Sequence, residues 1–420
     1  MNIALFAVSQ KTDTVAPVNA ALGADGAART LYRDAALADG TGPELRAGVS
    51  ILVAGDRIEW VGDAGDEPPL ADDAVVVDAS GSTVIAGMVD SHSHLTLPGG
   101  AHWIDRGFDP PHSLVEVAEH NARLLRSAGV RWARDVGSPI GDDPVDGRHR
   151  ALALGVRDRW SGRREYPYVR AAGCWVSRAG SLPGGLSVEA GDGDGLVAAA
   201  IGQLDDGADL VKLYLDGPDR ECSPFTVSEV RAVVAAAHAR GARVTAHSGM
   251  LPGARVGAQA GVDALEHGFQ LDADVAALMA AGNVALVSTL AVFESWRTFS
   301  RTTTLPRFAD PPRRAEIAAR REWAHESVRL AARAGVLIAA GTDFGGGSLR
   351  AGQLAWEVEC LVTADLEPWQ ALAAATRNGG QLLGEPDAGV IREGGPADLV
   401  FVHGDPLSDP AALRRVWLVT

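Results

Sequence analysis

Apolar and polar positions follow two different patterns along this chain of 420 residues. Short apolar runs separated by turns dominate residues 29–80, and "SILVAGDRIEWVGDAG" is typical of two strands joined by a Gly-Asp turn. Strand-like runs return near the C-terminus in "ADLVFVHGDP" and "RRVWLVT". We therefore predict that the two ends of the chain pair in one small sheet domain. Residues 1–28 are alanine-rich, and we interpret them as an N-terminal extension of unclear structure.

The middle of the chain alternates between apolar strands and amphipathic helices. Helical patterns cover residues 113–129, 226–241 and 272–282. The strand-like runs are "VIAGMVDSHSHL", "VRWARDVG", "YVRAAG", "DLVKLYL", "RVTAHS", "ALEHG", "VALVSTL" and "VLIAAGTD". Eight strands alternating with helices over about 300 residues predict an α/β fold with a (β/α)8 barrel. No glycine-rich dinucleotide turn follows an early strand, which disfavours an open doubly wound sheet.

Composition narrows the classes of partner. The net charge of −16 argues against nucleic acid or an anionic membrane as a partner. The chain lacks a long hydrophobic run, and its N-terminus lacks the features of a secretory signal. The three cysteines are widely spaced, without a disulfide framework or a Cys-x-x-Cys motif. Together these features favour a cytoplasmic protein that acts on a small-molecule substrate.

Polar side chains close the apolar strands at their C-terminal ends, where barrel enzymes place their chemistry. In "DSHSHL" two histidines stand two positions apart, so their side chains point the same way. Imidazoles and carboxylates gathered in this way favour a divalent transition metal, most plausibly Zn²⁺. The residues that we assign to this cluster are His92, His94, Lys212, His247, His267 and Asp343.

Lys212 in "GADLVKLYLDG" differs from the basic residues around it. Only two of the 38 basic residues of the chain are lysines, and the other is Lys11. A lysine amine can lose its proton, whereas a guanidinium in effect cannot. A desolvated lysine near metal charge has a lowered pKa, and its neutral amine can capture CO2 as a carbamate. That carbamate is an anion able to bridge two metal ions. The alternative to a functional role is that a lysine stands at position 212 by chance.

Taken together, these motifs resemble the amidohydrolase superfamily. The branch that they resemble most is the metal-dependent hydrolases related to imidazolonepropionase and to the Xaa-Pro and Xaa-Arg dipeptidases. The likeness spans about residues 29–415 and includes "ARDVGS", "ADLVKLYLDG" and "AATRNGGQLLGEPDAGVIREGGPADLVFVHGDPL" in the family's order. It implies a distorted (β/α)8 TIM barrel over residues 85–385. It also implies a small β-sandwich domain built from both chain ends, over residues 29–84 and 386–420.

The resemblance also implies a binuclear zinc centre. In the family pattern one ion is bound by the residues matching His92, His94 and Asp343, and it is the more buried of the two. The second ion is bound by those matching His247 and His267, and carboxylated Lys212 bridges the pair.

The implied reaction is hydrolysis by a hydroxide that bridges the two metals. Asp343 would act as general base and then as general acid toward the leaving nitrogen. Tyr214 shares the inward face of Lys212, and the family has a tyrosine there that can bind substrate or its carboxylate. A tyrosine that only packs is the alternative at this position.

We expect cleavage of a C–N bond in a small amide, cyclic amide, carbamate, N-acyl amino acid or dipeptide. One alternative is a mononuclear-metal deaminase or another non-peptidase hydrolase of the same superfamily, although deaminases generally lack the lysine bridge. The other is a non-catalytic binding protein on a degenerate barrel. Family members are commonly homo-oligomers, and we expect the same here. Two loops depart from dipeptidase-like members: "LDGPD" replaces a Ser-Gly-Gly turn, and "RAGSLPGG" lacks a histidine.

Overall fold

The structure is a computed structural model that describes residues 28–70 and 72–420. Residues 1–27, nearly all of the predicted extension, lie outside the described residues. The strands are Arg29–Leu37 (β1), Arg46–Ala54 (β2), Arg57–Asp63 (β3), Val75–Asp78 (β4), Ser82–Ala86 (β5), Met88–Ser93 (β6), Val130–Asp135 (β7), Ile140–Asp142 (β8), His149–Ala151 (β9), Tyr168–Ala171 (β10), Val176–Ser177 (β11), Val188–Glu189 (β12), Leu210–Tyr214 (β13), Arg243–Ser248 (β14), Ala264–His267 (β15), Ala285–Ser288 (β16), Ile338–Ala340 (β17), Leu399–His403 (β18) and Val416–Val419 (β19).

Helices cover the faces of the sheets between these strands. They are Trp103–Arg106 (α1), Pro111–Ser127 (α2), Leu152–Trp160 (α3), Asp194–Asp205 (α4), Val227–His238 (α5), Leu251–Ala260 (α6), Ala273–Gly282 (α7), Ala291–Thr302 (α8), Pro306–Ala309 (α9), Pro311–Arg333 (α10), Leu354–Thr363 (α11), Pro368–Ala374 (α12) and Arg377–Leu383 (α13), with a 3₁₀ turn at Pro410–Arg414. In this described part of the chain, none of the helices combines the length and the apolarity needed to cross a bilayer.

Strands from both ends of the chain lie in one sheet of seven strands. Its order is β19-β18-β5-β1-β2-β3, with β4 beside β1. The "SILVAGDRIEWVGDAG" hairpin is confirmed as the antiparallel pair β2 and β3. The ring of Phe401 in β18 is fully buried and lies 4.9 Å from that of Tyr32 in β1, which joins the C-terminal strand to the N-terminal one. The division into a barrel and a sandwich domain stays a prediction.

Two parallel sheets occupy the middle of the chain, and the α/β class is confirmed. One has the order β10-β7-β6, and the other runs β12-β11-β13-β14-β15-β16-β17. Backbone hydrogen bonds link them on two sides. Asp343 N donates to His92 O at 2.8 Å beyond β17, and Asp209 N donates to Ala171 O at 2.8 Å before β13. The C-terminal ends of β6 and β17 therefore lie side by side, which brings their polar residues together.

The predicted strand over "VIAGMVDSHSHL" is wrong as a single element. Residues 84–86 belong to β5 in the sheet of the chain ends, and β6 starts a parallel sheet at Met88. Gly87 separates the two strands, and its N–H donates to Asp398 O at 2.7 Å. A Cβ at Gly87 would lie 2.4 Å from the side chain of Arg131, so only glycine fits this crossing between sheets.

The three predicted helices are present, with ends set by capping. Thr226 accepts a hydrogen bond from Glu229 N, and the Glu229 side chain returns one to the Thr226 backbone, forming a capping box for α5. Asp272 caps the N-terminus of α7, where its side chain accepts a hydrogen bond from Val275 N at 2.8 Å. These caps fix the entry of the chain into helices that follow β13 and β15, the strands that carry Lys212 and His267.

Candidate metal centre

A cavity of about 380 Å³ opens at the C-terminal ends of the parallel strands. All seven residues singled out in the sequence line it, namely His92, His94, Lys212, Tyr214, His247, His267 and Asp343. A larger cavity of about 880 Å³ lies beside Trp369 and Arg377, and none of the seven lines it. Because the predicted metal ligands all line the smaller cavity, that cavity is the candidate site.

Three of these side chains form a compact group. His92, His267 and Asp343 each offer one ligand atom, and the three atoms lie within 4.8 Å of one another. His94 joins them, since its Nε2 lies 3.2 Å from Asp343 Oδ1, and His92 Nε2 lies 3.3 Å from the same oxygen. One carboxylate oxygen thus faces two imidazole nitrogens, as in a set of ligands converging on a shared ion.

Two of the converging residues have unusual backbone conformations. His267 has φ of 70° and Asp343 has φ of 53°, in the left-handed region that non-glycine residues rarely adopt. Asp343 lies three residues beyond the end of β17. Such strained positions cluster at functional sites, where the surrounding structure holds a side chain in an otherwise unfavourable direction. Here the left-handed conformation at His267 directs its ring into the cavity.

Each histidine has one ring nitrogen occupied outside the group. His94 Nδ1 donates to Gly137 O at 2.6 Å, and His92 Nδ1 lies 2.7 Å from Glu266 Oε2. His267 Nδ1 is hydrogen-bonded to Thr289 Oγ1 at 2.8 Å. These bonds leave Nε2 as the coordinating atom in all three rings, as outer partners do in metal sites. Burial lowers the pKa of His92 and of His267, so both rings are neutral and able to bind a cation.

His247 stands at the edge of the group. Its ring is stacked on Tyr214 with centroids 3.9 Å apart, and it lies 4.6 Å from the His267 ring. His247 Nε2 lies 3.2 Å from Asp216 Oδ2, and Gly249 N donates to the same oxygen at 2.7 Å. Asp216, in the "LDGPD" loop, was not anticipated from the sequence. It orients the imidazole and leaves Nδ1 for a ligand.

Lys212 is fully buried, and its Nζ has no hydrogen-bond partner among the described residues. Burial lowers the pKa of this amine to about 8, and the nearby Arg134 lowers it too, whereas Glu266 and Asp343 act in the opposite direction. An isolated buried ammonium is strongly unfavourable. The free energy of burial therefore favours the neutral amine, the form that reacts with CO2.

Glu266 is the main site residue that sequence reasoning missed. It is fully buried beside His267 and contacts His92 Nδ1, and Arg134 Nη2 donates to its Oε1 at 2.5 Å. Thr245 Oγ1 donates to the same carboxylate. Burial alone would raise the pKa of Glu266, but Arg134 and Lys212 hold it well below its usual range. The signal was a charged residue inside the apolar run "ALEHG", since a buried glutamate needs partners.

We expect Glu266→Gln to weaken metal binding about 10- to 100-fold, because a neutral amide orients and polarises His92 less well than a carboxylate. Competition with a chromogenic chelator measures the affinity. Glu357→Gln is the matched control, since Glu357 is also fully buried but bonds Ser288 outside the cavity. Equal affinities in the two variants would contradict a role for Glu266 in orienting a ligand.

The residues present fit a divalent metal site. Four imidazoles, one carboxylate and a buried amine without a hydrogen-bond partner among the described residues face a single cavity, and nitrogen and oxygen donors of this kind suit zinc. The glycine run "GTDFGGGS" makes room for the donors. A Cβ at Gly346 would lie 2.1 Å from Cδ2 of His94. His94 can therefore take its position only beside a glycine.

Comparison with known proteins agrees with this geometry. The model of the amidohydrolase family matches residues 83–417. An uncharacterized protein of Mycobacterium tuberculosis is 31% identical over 86% of this chain and 89% of its own length. The imidazolonepropionase of Streptomyces griseus is 27% identical over 89% of this chain and 90% of that protein. A crystal structure of a Xaa-Pro dipeptidase with bound methionine in the active site has a TM-score of 0.78 and 26% identity. It covers 93% of this chain and 98% of that one. The chain thus belongs to the amidohydrolase family and is a hydrolase that acts on carbon–nitrogen bonds.

Proposed function

We propose that this chain is a zinc-dependent amidohydrolase that cleaves a C–N bond in a small amide, cyclic amide, carbamate, N-acyl amino acid or dipeptide. The observation that carries the proposal is the amine of Lys212, which has no hydrogen-bond partner in the described part of the chain and is buried in the same cavity as four histidines and Asp343. The amidohydrolase family is generally metal-dependent, and the group of His92, His267 and Asp343 can hold a metal. The two parallel sheets would together form a distorted barrel around this cavity.

In this proposal two ions are held. His92, His94 and Asp343 hold one, and His247 and His267 hold the other. Bound zinc supplies Lewis acidity, which polarises a substrate carbonyl and activates water near neutral pH. Lys212 contributes an anion by reaction of its neutral amine with CO2. A nitrogen–carbon bond forms, one proton leaves the nitrogen, and the product is a carbamate that carries one negative charge. That anion offsets the positive charge of Arg134, which lies near enough to Lys212 to lower the pKa of its amine.

Asp343 is the residue that moves the proton. Burial alone would raise the pKa of Asp343, but the contacts with His92 and His94 hold it well below its usual range. It is therefore ionised, as the acceptor of a proton from the attacking water has to be. The carboxylate then gives the proton to the leaving nitrogen, so that the departing group is a neutral amine. Its backbone N–H is bonded to His92 O, which holds the side chain in place for both transfers.

The substrate in this proposal is a small molecule. A cavity of about 380 Å³ is in the range of pockets for ligands of drug size. Tyr214 lies against His247, and burial raises the pKa of its hydroxyl, so it remains a neutral hydrogen-bond donor. We infer that this hydroxyl contacts substrate next to the reacting carbonyl.

The test is a screen of the full chain, loaded with zinc in the presence of bicarbonate, against small amides, cyclic amides, carbamates, N-acyl amino acids and dipeptides. Amine release is measured by derivatisation and chromatography. We expect hydrolysis of members of at least one of these classes, with loss of activity when a chelator is added and return of activity with zinc. Metal-loaded protein that hydrolyses none of these five classes would contradict the proposed function.

A further inference from the structure

The cavity holds a cation that the hydrolytic chemistry does not use. Arg320, on α10, lines the cavity together with Tyr214 and Asp216. Within residues 28–70 and 72–420 its guanidinium makes no hydrogen bond and no ion pair closer than 4.0 Å, although most arginines near it are paired with acids. A guanidinium has five N–H donors, and leaving them without partners in a partly buried site is unfavourable.

Aromatic side chains fix the position of Arg320. Its Cζ lies 5.6 Å from the ring centroid of Phe293 and 5.6 Å from that of Trp296, within the range of cation–π contacts. Burial lowers the pKa of the guanidinium, and Glu316, one helical turn earlier, acts in the opposite direction. The side chain is thus held in place by faces of rings, which leaves its edge of donors free for a ligand.

A second cation stands at the same opening. Arg220 follows "LDGPD", the loop where dipeptidase-like proteins carry a Ser-Gly-Gly turn, and it lines the cavity while largely exposed. Its Nη1 is 4.0 Å from Glu316. Asp216 also lines the cavity, but its carboxylate already accepts a hydrogen bond from Gly249 N and faces His247. The opening therefore has positive charge that no cavity acid neutralises by direct contact.

The remaining wall of the cavity is apolar. Trp103, Leu182, Phe269 and Trp296 line this part of the cavity surface. Phe269 lies 5.1 Å from the His267 ring, measured between centroids, so this wall reaches the ligands themselves. Apolar walls with a small number of placed polar groups are the usual form of a specific ligand site.

We propose that Arg320 is a specificity-determining residue that binds a carboxylate of the substrate, with Arg220 adding long-range attraction at the cavity opening. The fork of a guanidinium matches the two oxygens of a carboxylate. The substrate class is an amide whose amine fragment carries a carboxylate next to an aromatic or other bulky apolar group. The group would pack on Trp296 and Phe269. This inference rests on the proposed function, since it assigns the substrate of the same site.

The experiment compares N-acetyl-L-phenylalanine with its neutral carboxamide. Binding of each to the zinc-loaded full chain is measured by titration calorimetry, and the same samples are analysed for released phenylalanine or its amide. We expect the carboxylate to bind about tenfold or more tightly than the carboxamide, which is the size of a charge-assisted hydrogen-bonded contact. Arg320→Met should reduce the preference to within about twofold, and Arg320→Lys should keep part of it.

Arg333→Met is the matched control, because Arg333 lies on the same helix, is exposed, and is paired with Glu326 outside the cavity. It should keep the full preference. The inference is overturned if wild type shows no preference for the carboxylate, or binds neither probe, or if Arg320→Met keeps the preference. Release of phenylalanine measures hydrolysis and is judged separately from binding. Arg320-dependent binding without hydrolysis would support this inference and count against the proposed function.

Discussion

Replacing Asp343 by asparagine is expected to reduce kcat about 10²- to 10⁴-fold, the range that general acid–base catalysis contributes. Asparagine keeps an oxygen that can face His92 and His94, but it cannot take a proton from water and return it to the leaving nitrogen. The measurement is steady-state hydrolysis of the best substrate from the screen, together with the metal content of the same protein.

The control for this variant is Asp365→Asn. Asp365 also has a positive φ, 68°, and it lies two residues beyond the end of α11 and does not line the cavity. Because asparagine tolerates the left-handed region, the backbone effect of the two changes is the same. If Asp343→Asn retains the metal and also retains activity close to that of Asp365→Asn, Asp343 is not the proton carrier.

Lys212→Ala and Lys212→Arg are expected to lose activity on the order of a hundredfold or more, since metal ions contribute several kcal/mol of catalysis and both changes remove the carbamate that we propose as a ligand. The two variants differ in one respect. Alanine leaves space beside the cluster that a short carboxylic acid such as acetate or propionate can fill, and arginine does not. Added carboxylate should therefore restore part of the activity of Lys212→Ala but none of that of Lys212→Arg. Rescue of both variants, or of neither, would argue against a bridging carboxylate at this position.

The pH dependence of activation follows from the same residue. Only the neutral amine reacts with CO2, and burial lowers the pKa of Lys212 to about 8. Activation of metal-free protein by bicarbonate and zinc should therefore be faster at pH 8.5 than at pH 6.5.

A folded-state pKa below the usual 10.5 also means that the folded metal-free chain binds fewer protons than the unfolded chain. Its stability should rise with pH between about 8 and 10.5.

Strand-end chemistry was the part of the site that the sequence could predict. The C-terminal ends of parallel strands meet at one edge, so polar residues that close apolar runs must converge. All seven predicted residues line one cavity. The helices at 226–241 and 272–282 were equally accessible, because Thr226, Glu229 and Asp272 are local capping signals. The roles of the seven cavity residues as metal ligands and as substrate contacts stay predictions.

Other features depended on contacts that no local pattern encodes. Gly87 divides one apolar run between two sheets because Arg131 and Asp398, both distant in sequence, crowd it. Glu266 and His267 are adjacent, and strict alternation would send them to opposite faces. The positive φ of His267 turns its ring into the cavity, whereas Glu266 contacts Nδ1 of His92 from outside it. Asp216 was hidden in a loop whose path only tertiary packing decides.

The most direct test of the account is the metal content of this protein, measured by element-specific mass spectrometry after growth with zinc and bicarbonate and without exposure to chelators. The account predicts close to two zinc ions per chain in the wild type and fewer in Lys212→Ala and Lys212→Arg. One ion per chain that is unaffected by either variant would favour the mononuclear alternative. A chain that holds no metal would contradict the proposed mechanism and favour the binding-protein alternative.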